Sequence, residues 1–331
     1  TIILVLLTTM SGTTDDFTAI SLIFGTISGG GFAPSSTIIT ANNLEVLVVT
    51  SAGMILSALP FAFHYYVFRK KGLLSRKSLG SEVTVYLIAM GISVPVLYIL
   101  MVGGPGHNIG TAAYHLISAS TTTGFQFLDI QAIPAAAKVF LVLVMLVGGC
   151  AFSTAGGIKV GRLLILYQEI SRRVGRKPSE TSFYSLTQPA YTSISSTANP
   201  QRSSDNGGLL DHLREEYRKR DFGELFQKRD EFLKVAREIL GIKLVREILL
   251  VIGLFIAVAI ITGVVLSNNT GRTFEDGLFE SVSALSTAGL SAGITSLQLD
   301  SFSKLMLTAN MILGRFEIIA IFYIFFRTLR H

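Results

Sequence analysis

The sequence predicts an all-α, polytopic membrane protein built from helix–re-entrant pore loop–helix repeats. Half of its 331 residues are hydrophobic and only 15% are charged, whereas soluble domains average about 25% charged residues. A short glycine-containing motif recurs three times along the chain, which predicts three related units. Several apolar runs reach roughly the 20 residues that cross a bilayer, and they lie at 44–68, 82–103, 136–152, 248–266 and 303–327.

The recurring motif consists of small or hydroxyl residues, then glycine, then a large apolar residue. It occurs in ISGGGF (27–32), STTTGF (120–125) and STAGL (286–290). Backbone carbonyls can replace the hydration shell of an ion, and glycine permits the unusual backbone that this requires. The motif predicts an ion-selectivity filter, with generic external turns as the alternative. The candidate filter residues are Ser28, Gly29, Gly30, Gly31, Thr121, Thr122, Thr123, Gly124, Ser286, Thr287, Ala288 and Gly289.

Residues 1–68 form the first predicted repeat. Its opening apolar segment, 1–10, is too short to span a bilayer, so we expect a truncated first helix. An acidic pair then precedes a short helix predicted over 17–27, because carboxylates are favoured at the positive end of a helix dipole. The apolar run 44–68 predicts a spanning helix that is kinked by Pro60.

Residues 82–169 form the second predicted repeat, with a spanning helix, a short helix over 109–119 and the second motif. Its last helix does not stay regular, because glycine and hydroxyl residues fall at membrane depth. Irregular backbone is tolerated there only where protein buries it or a wet cavity hydrates it. We therefore predict a movable gating loop over 148–157, against the alternative of close small-residue packing between helices. Its candidate residues are Gly148, Gly149, Ser153, Thr154, Gly156 and Gly157.

The polar stretch 170–242 is predicted to be a cytoplasmic insertion, partly disordered because its centre is rich in Ser, Thr, Pro, Asn and Gly. The third repeat, 243–331, follows with a spanning helix and a short helix predicted over 275–285. Its last helix, 303–327, carries Arg315 near the bilayer midplane, where a charge is costly and usually functional. We expect Arg315 to face a water-filled path below the motifs and to limit cation flux. The alternative is a structural pairing with carbonyls or a distant carboxylate.

The charge distribution places the basic segments on one side of a membrane. Most of the 28 lysines and arginines lie in 69–77, in 162–246 and at the C-terminal end. This pattern predicts a cell-membrane protein whose basic loops and C-terminus are cytoplasmic, and it argues against nucleic acid as a partner. The predicted outer side holds Lys138, Arg272 and Lys304. Acidic residues outnumber them there and would attract cations, namely Asp15, Asp16, Asp129, Glu275, Asp276, Glu280 and Asp300.

The sequence lacks the residue patterns that would indicate an enzyme or a metal centre. Its single cysteine, Cys150, lies in an apolar run and allows no intrachain disulfide or metal cluster. The five histidines are scattered, and no HExxH, GxSxG or Walker motif occurs. We therefore expect no catalytic residues, no covalently bound cofactor and no metal beyond a transported ion.

The motifs together resemble the Trk/Ktr/HKT superfamily of potassium transporters, most closely its TrkH-like branch. The three glycine motifs carry the resemblance together with GGCAFSTAGGIKVGR (148–162) and GRFEI (314–318), and it covers nearly the whole chain outside 170–242. It implies four repeats around one pseudo-fourfold pore, potassium as the substrate, a homodimer and a cytosolic nucleotide-binding regulatory subunit. It also implies that the filter glycines are Gly31, Gly124 and Gly289. The gate would be the loop 148–157, and the pore cation would be Arg315.

Only three repeats are visible in this sequence, so we expect a further repeat upstream. In the family, the first repeat bears on the preference between sodium and potassium. ISGGGF also differs from the other motifs, because Gly29 stands where a hydroxyl residue would be more typical. The predicted function is potassium uptake through a filter of backbone carbonyls, gated by the intramembrane loop. The alternatives are a sodium-permeable member of the same family, a non-conducting scaffold or sensor acting through 170–242, and a membrane-embedded enzyme.

Overall fold

The computed structural model describes residues 4–5, 8–9, 15–34, 39, 43–69, 81–173 and 245–315. Within these residues every regular element is a helix. The chain divides into two compact units, Thr1–Tyr167 with Leu250–His331, and Gln168–Leu249. All predicted filter and gating residues belong to the first unit. The predicted cytoplasmic insertion, 170–242, lies outside the described residues except for 170–173.

The helices are numbered in chain order. They are α1 Asp16–Ile27, α2 Leu44–Ala58, α3 Phe61–Arg69, α4 Ser81–Leu100, α5 Ile109–Ser120, a 3₁₀ turn Ile130–Ala132, α6 Ala135–Val147, α7 Val160–Arg173, α8 Val245–Thr270, α9 Phe274–Leu285 and α10 Ser301–Arg315. By length and composition, α4 and α8 can cross a membrane, over Glu82–Leu100 and Val245–Thr270. α1, α2 and α6 are apolar but shorter.

The apolar run 44–68 forms two helices rather than the single kinked helix that the sequence predicts. α2 and α3 are separated at Leu59 and Pro60. Pro60 has no N–H to continue the helix, and the residue before a proline favours extended backbone, as Leu59 shows with φ −85° and ψ 151°. The carbonyl that the missing N–H would have met, on Leu56, accepts a hydrogen bond from His64 Nε2 at 2.9 Å. The break also leaves the carbonyls of Ser57 and Ala58 free to accept hydrogen bonds from outside the helix.

α1, α5 and α9 are the three short helices that the sequence predicts, and they have equal lengths of 12 residues. Each begins at a side chain that accepts a hydrogen bond from a backbone N–H of the first turn, and these N-caps are Asp15, Asn108 and Thr273. Their C-caps are Ser28, Thr121 and Ser286. Since the spacing from N-cap to C-cap is the same in all three, the three helices can be aligned residue by residue.

The main hydrophobic core packs α5, α6 and α9 against the longer helices α4 and α8. Its buried side chains include Leu97, Leu116, Leu141, Phe255 and Phe279. A second cluster joins the break between α2 and α3 to the loop after α6, through Ala58, Tyr86 and Cys150. Cys150 is a buried free cysteine that packs as a small apolar side chain. The first core fixes the short helices α5 and α9, and the second fixes the gating loop.

A buried ion pair links α6 to α9. Lys138 Nζ lies 2.6 Å from Asp276 Oδ1, and the two side chains are only 9% and 5% exposed. We predicted Lys138 as an external cation and Asp276 as part of an acidic outer mouth. Both interpretations are wrong, because the two charges neutralise each other inside the protein.

We expect Lys138→Met to destabilise the protein by about 3 kcal/mol, because Asp276 then remains buried without its partner. The double variant Lys138→Met/Asp276→Leu should recover most of that loss, since both buried charges are removed. Thermal unfolding in detergent, followed by far-ultraviolet circular dichroism, measures both. A single variant that unfolds at the wild-type temperature would show that the pair contributes nothing.

Candidate functional site

Three glycine segments, 29–31, 122–124 and 287–289, follow the C-caps of the three short helices. Each has positive φ at its first and third residue. The angles are Gly29 +67°, Gly31 +65°, Thr122 +52°, Gly124 +90°, Thr287 +55° and Gly289 +85°. A left-handed threonine is strained by about 1–3 kcal/mol and persists only where its surroundings impose it. The sequence oddity at Gly29 therefore has a physical basis, because glycine occupies the same left-handed position without that strain.

The three glycine segments lie side by side in chain order. A Cβ at Gly31 would overlap the Thr123 carbonyl oxygen, and a Cβ at Gly124 would overlap the Ala288 carbonyl oxygen. Each of these glycines therefore faces the carbonyl that precedes the last glycine of the next segment. At Gly289 the nearest atom to an added Cβ is Gly124 Cα, at 3.8 Å. Glycine is required at the first two positions by both backbone angle and close approach.

Most hydroxyl groups beside the glycine segments are bonded to their own helices. Thr121 Oγ1 donates to the Ile117 carbonyl at 2.7 Å, and Ser286 Oγ donates to the Val282 carbonyl at 2.7 Å. Ser28 Oγ reaches Gly25 less closely, at 3.4 Å. The C-cap side chains of Ser28, Thr121 and Ser286, which are candidate filter residues, thus bond to their own helices. Thr121 and Thr123 also share a hydrogen bond of 2.9 Å between their hydroxyls.

In the second and third repeats, the chain that leaves the glycine segment is hydrogen-bonded to one position of the preceding short helix. That position, seven residues after the N-cap, is His115 or Glu280, and Leu22 occupies it in the first repeat. His115 Nε2 accepts from the backbone N–H groups of Phe127 and Leu128 at 3.4 and 3.3 Å. Glu280 accepts from the N–H of Ala292 at 2.9 Å and is only 4% exposed. Our prediction of Glu280 as an outer-mouth charge is wrong, and aligning the three caps could have identified this position.

The gating loop, 148–157, is closed at its base by backbone hydrogen bonds. Ile158 N donates to the Leu146 carbonyl at 2.9 Å, and Lys159 N donates to the Val147 carbonyl at 2.9 Å. Gly148 and Gly157 flank the loop with φ +69° and +78°. A Cβ at Gly157 would lie 2.9 Å from Gly148 Cα, so the two ends of the loop are in backbone contact at its base. The predicted interruption of this helix is therefore present, and the loop leaves it as a compact lobe.

The lobe is bonded to the break between α2 and α3. Cys150 N donates to the Ala58 carbonyl at 3.1 Å, and Thr154 N donates to the Ser57 carbonyl at 3.3 Å. In return, Phe61 N donates to the carbonyl of Phe152 at 3.0 Å. Because Pro60 interrupts the helix, these groups have no regular intrahelical partner, and the gating loop satisfies them.

One side chain attaches the gating loop to α4, and another stabilises the loop internally. Ala151 N donates to Glu82 Oε1 at 2.6 Å, which links the loop to the start of α4. Ser153 Oγ donates to the Cys150 carbonyl at 2.6 Å within the loop. A Cβ at Gly149 would lie 2.5 Å from that of Ala155, so this glycine lets the two sides of the lobe close. Glu82 was not among the predicted site residues, because an acidic residue at a helix start looks like an ordinary cap.

The returning side of the gating loop, at Thr154 and Gly156, contacts the region where each of the three glycine segments begins. Gly156 N donates to Thr122 Oγ1 at 2.7 Å. A Cβ at Gly156 would overlap the Ser286 carbonyl oxygen and would lie 2.6 Å from Thr287 Oγ1. On the third side, Thr154 Oγ1 shares its proton between the Ser57 carbonyl at 3.0 Å and the Ile27 carbonyl at 3.3 Å, and Ile27 lies just before the first segment. The structure thus brings together the predicted filter and gating residues.

Arg315 ends α10 beside the gating loop. Its side chain is exposed, and Nη1 donates to the Thr154 carbonyl at 3.4 Å. A Cβ at the preceding residue, Gly314, would overlap the Leu285 carbonyl oxygen, so α10 approaches the end of α9 backbone to backbone. Glu317, which the sequence analysis places in the GRFEI motif, lies outside the described residues. The positive charge therefore lies beside Thr154 of the gating loop.

Carboxylates cap helices at the other end of the site. Hydrogen bonding with Thr18 lowers the pKa of Asp15, and hydrogen bonding with Ser303 lowers the pKa of Asp300. Both groups therefore remain negatively charged at neutral pH. Asp15 begins the short helix α1, whose other end leads into the first glycine segment. These two acids remain consistent with the predicted negative outer side, unlike Asp276 and Glu280.

Comparison with known proteins gives several matches. The TrkH family model, described as a cation transport protein, matches residues 82–329. TrkH of Vibrio parahaemolyticus is 26% identical over 196 residues, covering 57% of this chain and 39% of its own. TrkG of Escherichia coli is 31% identical over 167 residues, covering 48% and 34%. An uncharacterised cation transporter of Methanocaldococcus jannaschii is 23% identical over 334 residues, covering 100% and 58%.

The fold is also similar to a solved structure. The crystal structure of the potassium transporter TrkH from Vibrio parahaemolyticus matches 97% of this chain and 60% of its own, with a TM-score of 0.65 and 20% identity. The chain thus spans between 34% and 60% of the length of these proteins. The match supports a polytopic, all-α membrane fold. With the family model covering most of its length, the chain belongs to the TrkH family of cation transport proteins.

Proposed function

We propose that the chain supplies three segments of a potassium-conducting pore, whose selectivity filter consists of backbone carbonyls from the glycine segments. One observation carries the proposal, namely the same pattern of positive φ angles at equal distances from three capped helices. Membership of a transporter family removes the membrane-enzyme alternative. The TrkH and TrkG relatives are named potassium uptake proteins, which supports potassium as the substrate.

Carbonyl oxygens are the ligands that these segments can offer to an ion. The hydroxyls of Thr121 and Ser286 are bonded to their own helices, so they do not compete with the backbone. The C-terminal ends of α1, α5 and α9 lead directly into the segments. Because the C-terminal end of a helix carries partial negative charge, three such ends favour a cation. A ring of carbonyls then replaces the hydration shell of potassium without any bound cofactor.

The gating loop closes this pathway in the proposed mechanism. Its returning side lies against the start of each glycine segment, through Thr154 and Gly156. Opening requires this side to withdraw, and the left-handed glycines at the base of the loop, Gly148 and Gly157, would absorb the change in backbone angle. The positive charge of Arg315 beside Thr154 repels cations and limits their flux. Close packing between helices is the competing role for this loop.

The membrane setting and the partners belong to the same proposal. The protein lies in the cell membrane, in contact with lipid, with its basic loops and C-terminus in the cytoplasm. A fourth repeat in the full-length protein completes a pseudo-fourfold ring around the ion. Two copies form a homodimer, and a cytosolic nucleotide-binding subunit regulates the gate. Nucleic acid has no part in this function.

The proposed function is tested by rubidium uptake into proteoliposomes that contain the full-length protein, with sodium as competitor. Uptake that excess sodium barely reduces is the expected result. Uptake that sodium blocks completely would favour the sodium-permeable alternative. A folded protein that takes up neither ion, even with its cytosolic regulator added, would favour the non-conducting scaffold.

We expect Arg315→Ala to increase rubidium uptake, because it removes the positive charge beside the gating loop. We expect an increase of about tenfold, which corresponds to a change of about 1.4 kcal/mol in the barrier to ion passage. Arg315→Lys is the matched control, since it keeps the charge. Equal uptake by the wild type and Arg315→Ala would leave Arg315 with a structural role only.

A further inference from the structure

Gln126 makes a two-point contact with the next repeat. Its side-chain oxygen, Oε1, accepts from Ser291 N at 2.8 Å, and its Nε2 donates to the Ser291 carbonyl at 3.2 Å. Gln126 stands two residues after Gly124, and Ser291 stands two residues after Gly289. A side-chain amide of the second repeat is therefore paired with the backbone of the third repeat, at matching positions just beyond the glycine segments.

Ser291 is in turn fixed to the short helix of its own repeat. Its Oγ donates to Glu280 Oε1 at 2.9 Å, and the next backbone N–H, on Ala292, donates to Glu280 Oε2 at 2.9 Å. Thr295 bonds to the same carboxylate through its N–H at 3.2 Å and through its hydroxyl. Because Glu280 is buried and accepts hydrogen bonds from Ser291, Ala292 and Thr295, it holds the third-repeat side of the contact in place.

The corresponding position of the first repeat cannot make this contact. Two residues after Gly31 stands Ala33, whose side chain has no hydrogen-bonding group. The first and second segments meet through the backbone at Gly31 and Thr123. The second and third segments meet through the backbone at Gly124 and also through the amide of Gln126. The amide is thus an additional constraint that acts between one pair of segments.

We infer that Gln126 is a positioning residue for ion selectivity, which holds the second and third glycine segments at a fixed separation by clamping Ser291. The inference rests on the proposed function, because the spacing of the segments matters only if their carbonyls bind an ion. A carbonyl filter distinguishes cations through the number and placement of its oxygens. Without the clamp, the two segments can shift relative to one another, and their oxygens can close around the smaller sodium ion.

The test compares the ratio of rubidium to sodium uptake in proteoliposomes for full-length wild type, Gln126→Leu and Gln126→Asn. Leucine keeps the volume but loses both hydrogen bonds, and asparagine keeps the amide but is too short to reach. Each variant should lower the ratio about fivefold, the change expected from one net hydrogen bond. Gln131→Leu is the matched control, because Gln131 is an exposed glutamine in the same linker, and it should keep the wild-type ratio.

The outcomes separate the inference from the proposed function. A wild type that conducts rubidium, with Gln126 variants that keep its ratio, overturns the inference alone. A wild type that conducts no rubidium overturns the proposed function and the inference with it. If Gln126→Leu does not fold, Gln126→Asn decides. A lower total uptake at an unchanged ratio also overturns the inference, because a merely structural residue would behave in that way.

Discussion

Gly124→Ala is expected to lower rubidium uptake at least tenfold and to weaken the preference for rubidium over sodium. Gly124 has φ +90°, a conformation that costs a residue with a side chain about 1–2 kcal/mol. The added Cβ would also overlap the Ala288 carbonyl oxygen, which must then move. About 1.4 kcal/mol corresponds to a tenfold change in uptake, and the backbone strain and the displaced carbonyl together exceed that energy.

The control for this variant is Gly103→Ala. Gly103 has a similar backbone angle, φ +84°, but an added Cβ would meet no atom within 4 Å. It therefore carries the same conformational cost without displacing a carbonyl, and uptake should stay near the wild-type value. Equal losses in both variants would mean that backbone strain alone, and not the filter carbonyl, explains the effect. Wild-type uptake and selectivity in Gly124→Ala would remove the second segment from the filter.

Gly156→Ala is expected to raise rubidium uptake about tenfold, because the gating loop can no longer seat against the filter. The new Cβ would overlap the Ser286 carbonyl oxygen and approach Thr287 Oγ1 to 2.6 Å. Overpacking of this kind costs about 1–3 kcal/mol, and here it raises the free energy of the closed position of the loop. Gly156 does not have positive φ, so an alanine there is strained by its contacts and not by its backbone angle.

Gly91→Ala is the control for the gating variant. Gly91 lies in α4, and an added Cβ would meet no atom within 4 Å. Its uptake should equal that of the wild type. If Gly156→Ala conducts no faster while its unfolding temperature is unchanged, the loop packs beside the pathway without closing it. The small-residue packing alternative would then be the better account of 148–157.

The sequence predicted the elements whose signals are local. The short helices are found within a residue or two of their predicted bounds, because each begins at a capping side chain and ends before a glycine motif. The interruption after α6 was also predictable, since four glycines with two hydroxyl residues in ten positions disfavour a regular helix. The break at Pro60 was underestimated as a kink, because its freed carbonyls find partners in the gating loop, which is distant in sequence.

The burial of charged residues was not predictable from position in the chain. Lys138 and Asp276 lie far apart in sequence, and their pairing depends on the packing of α6 against α9. Glu280 looked like a surface acid, yet it accepts hydrogen bonds from the chain beyond the third glycine segment. The Gln126 contact also joins two repeats. The roles of such polar residues can be recognised from the sequence only after the three repeats are aligned on their capping residues and glycines.

The most direct test of the proposed filter is anomalous diffraction from crystals of the full-length protein grown with rubidium. The expected result is ion density in contact with backbone carbonyl oxygens of the segments 29–31, 122–124 and 287–289. The density should weaken in Gly124→Ala and persist in Gly103→Ala. Rubidium density found only away from these segments, in a protein that takes up rubidium, would contradict a filter made of their carbonyls.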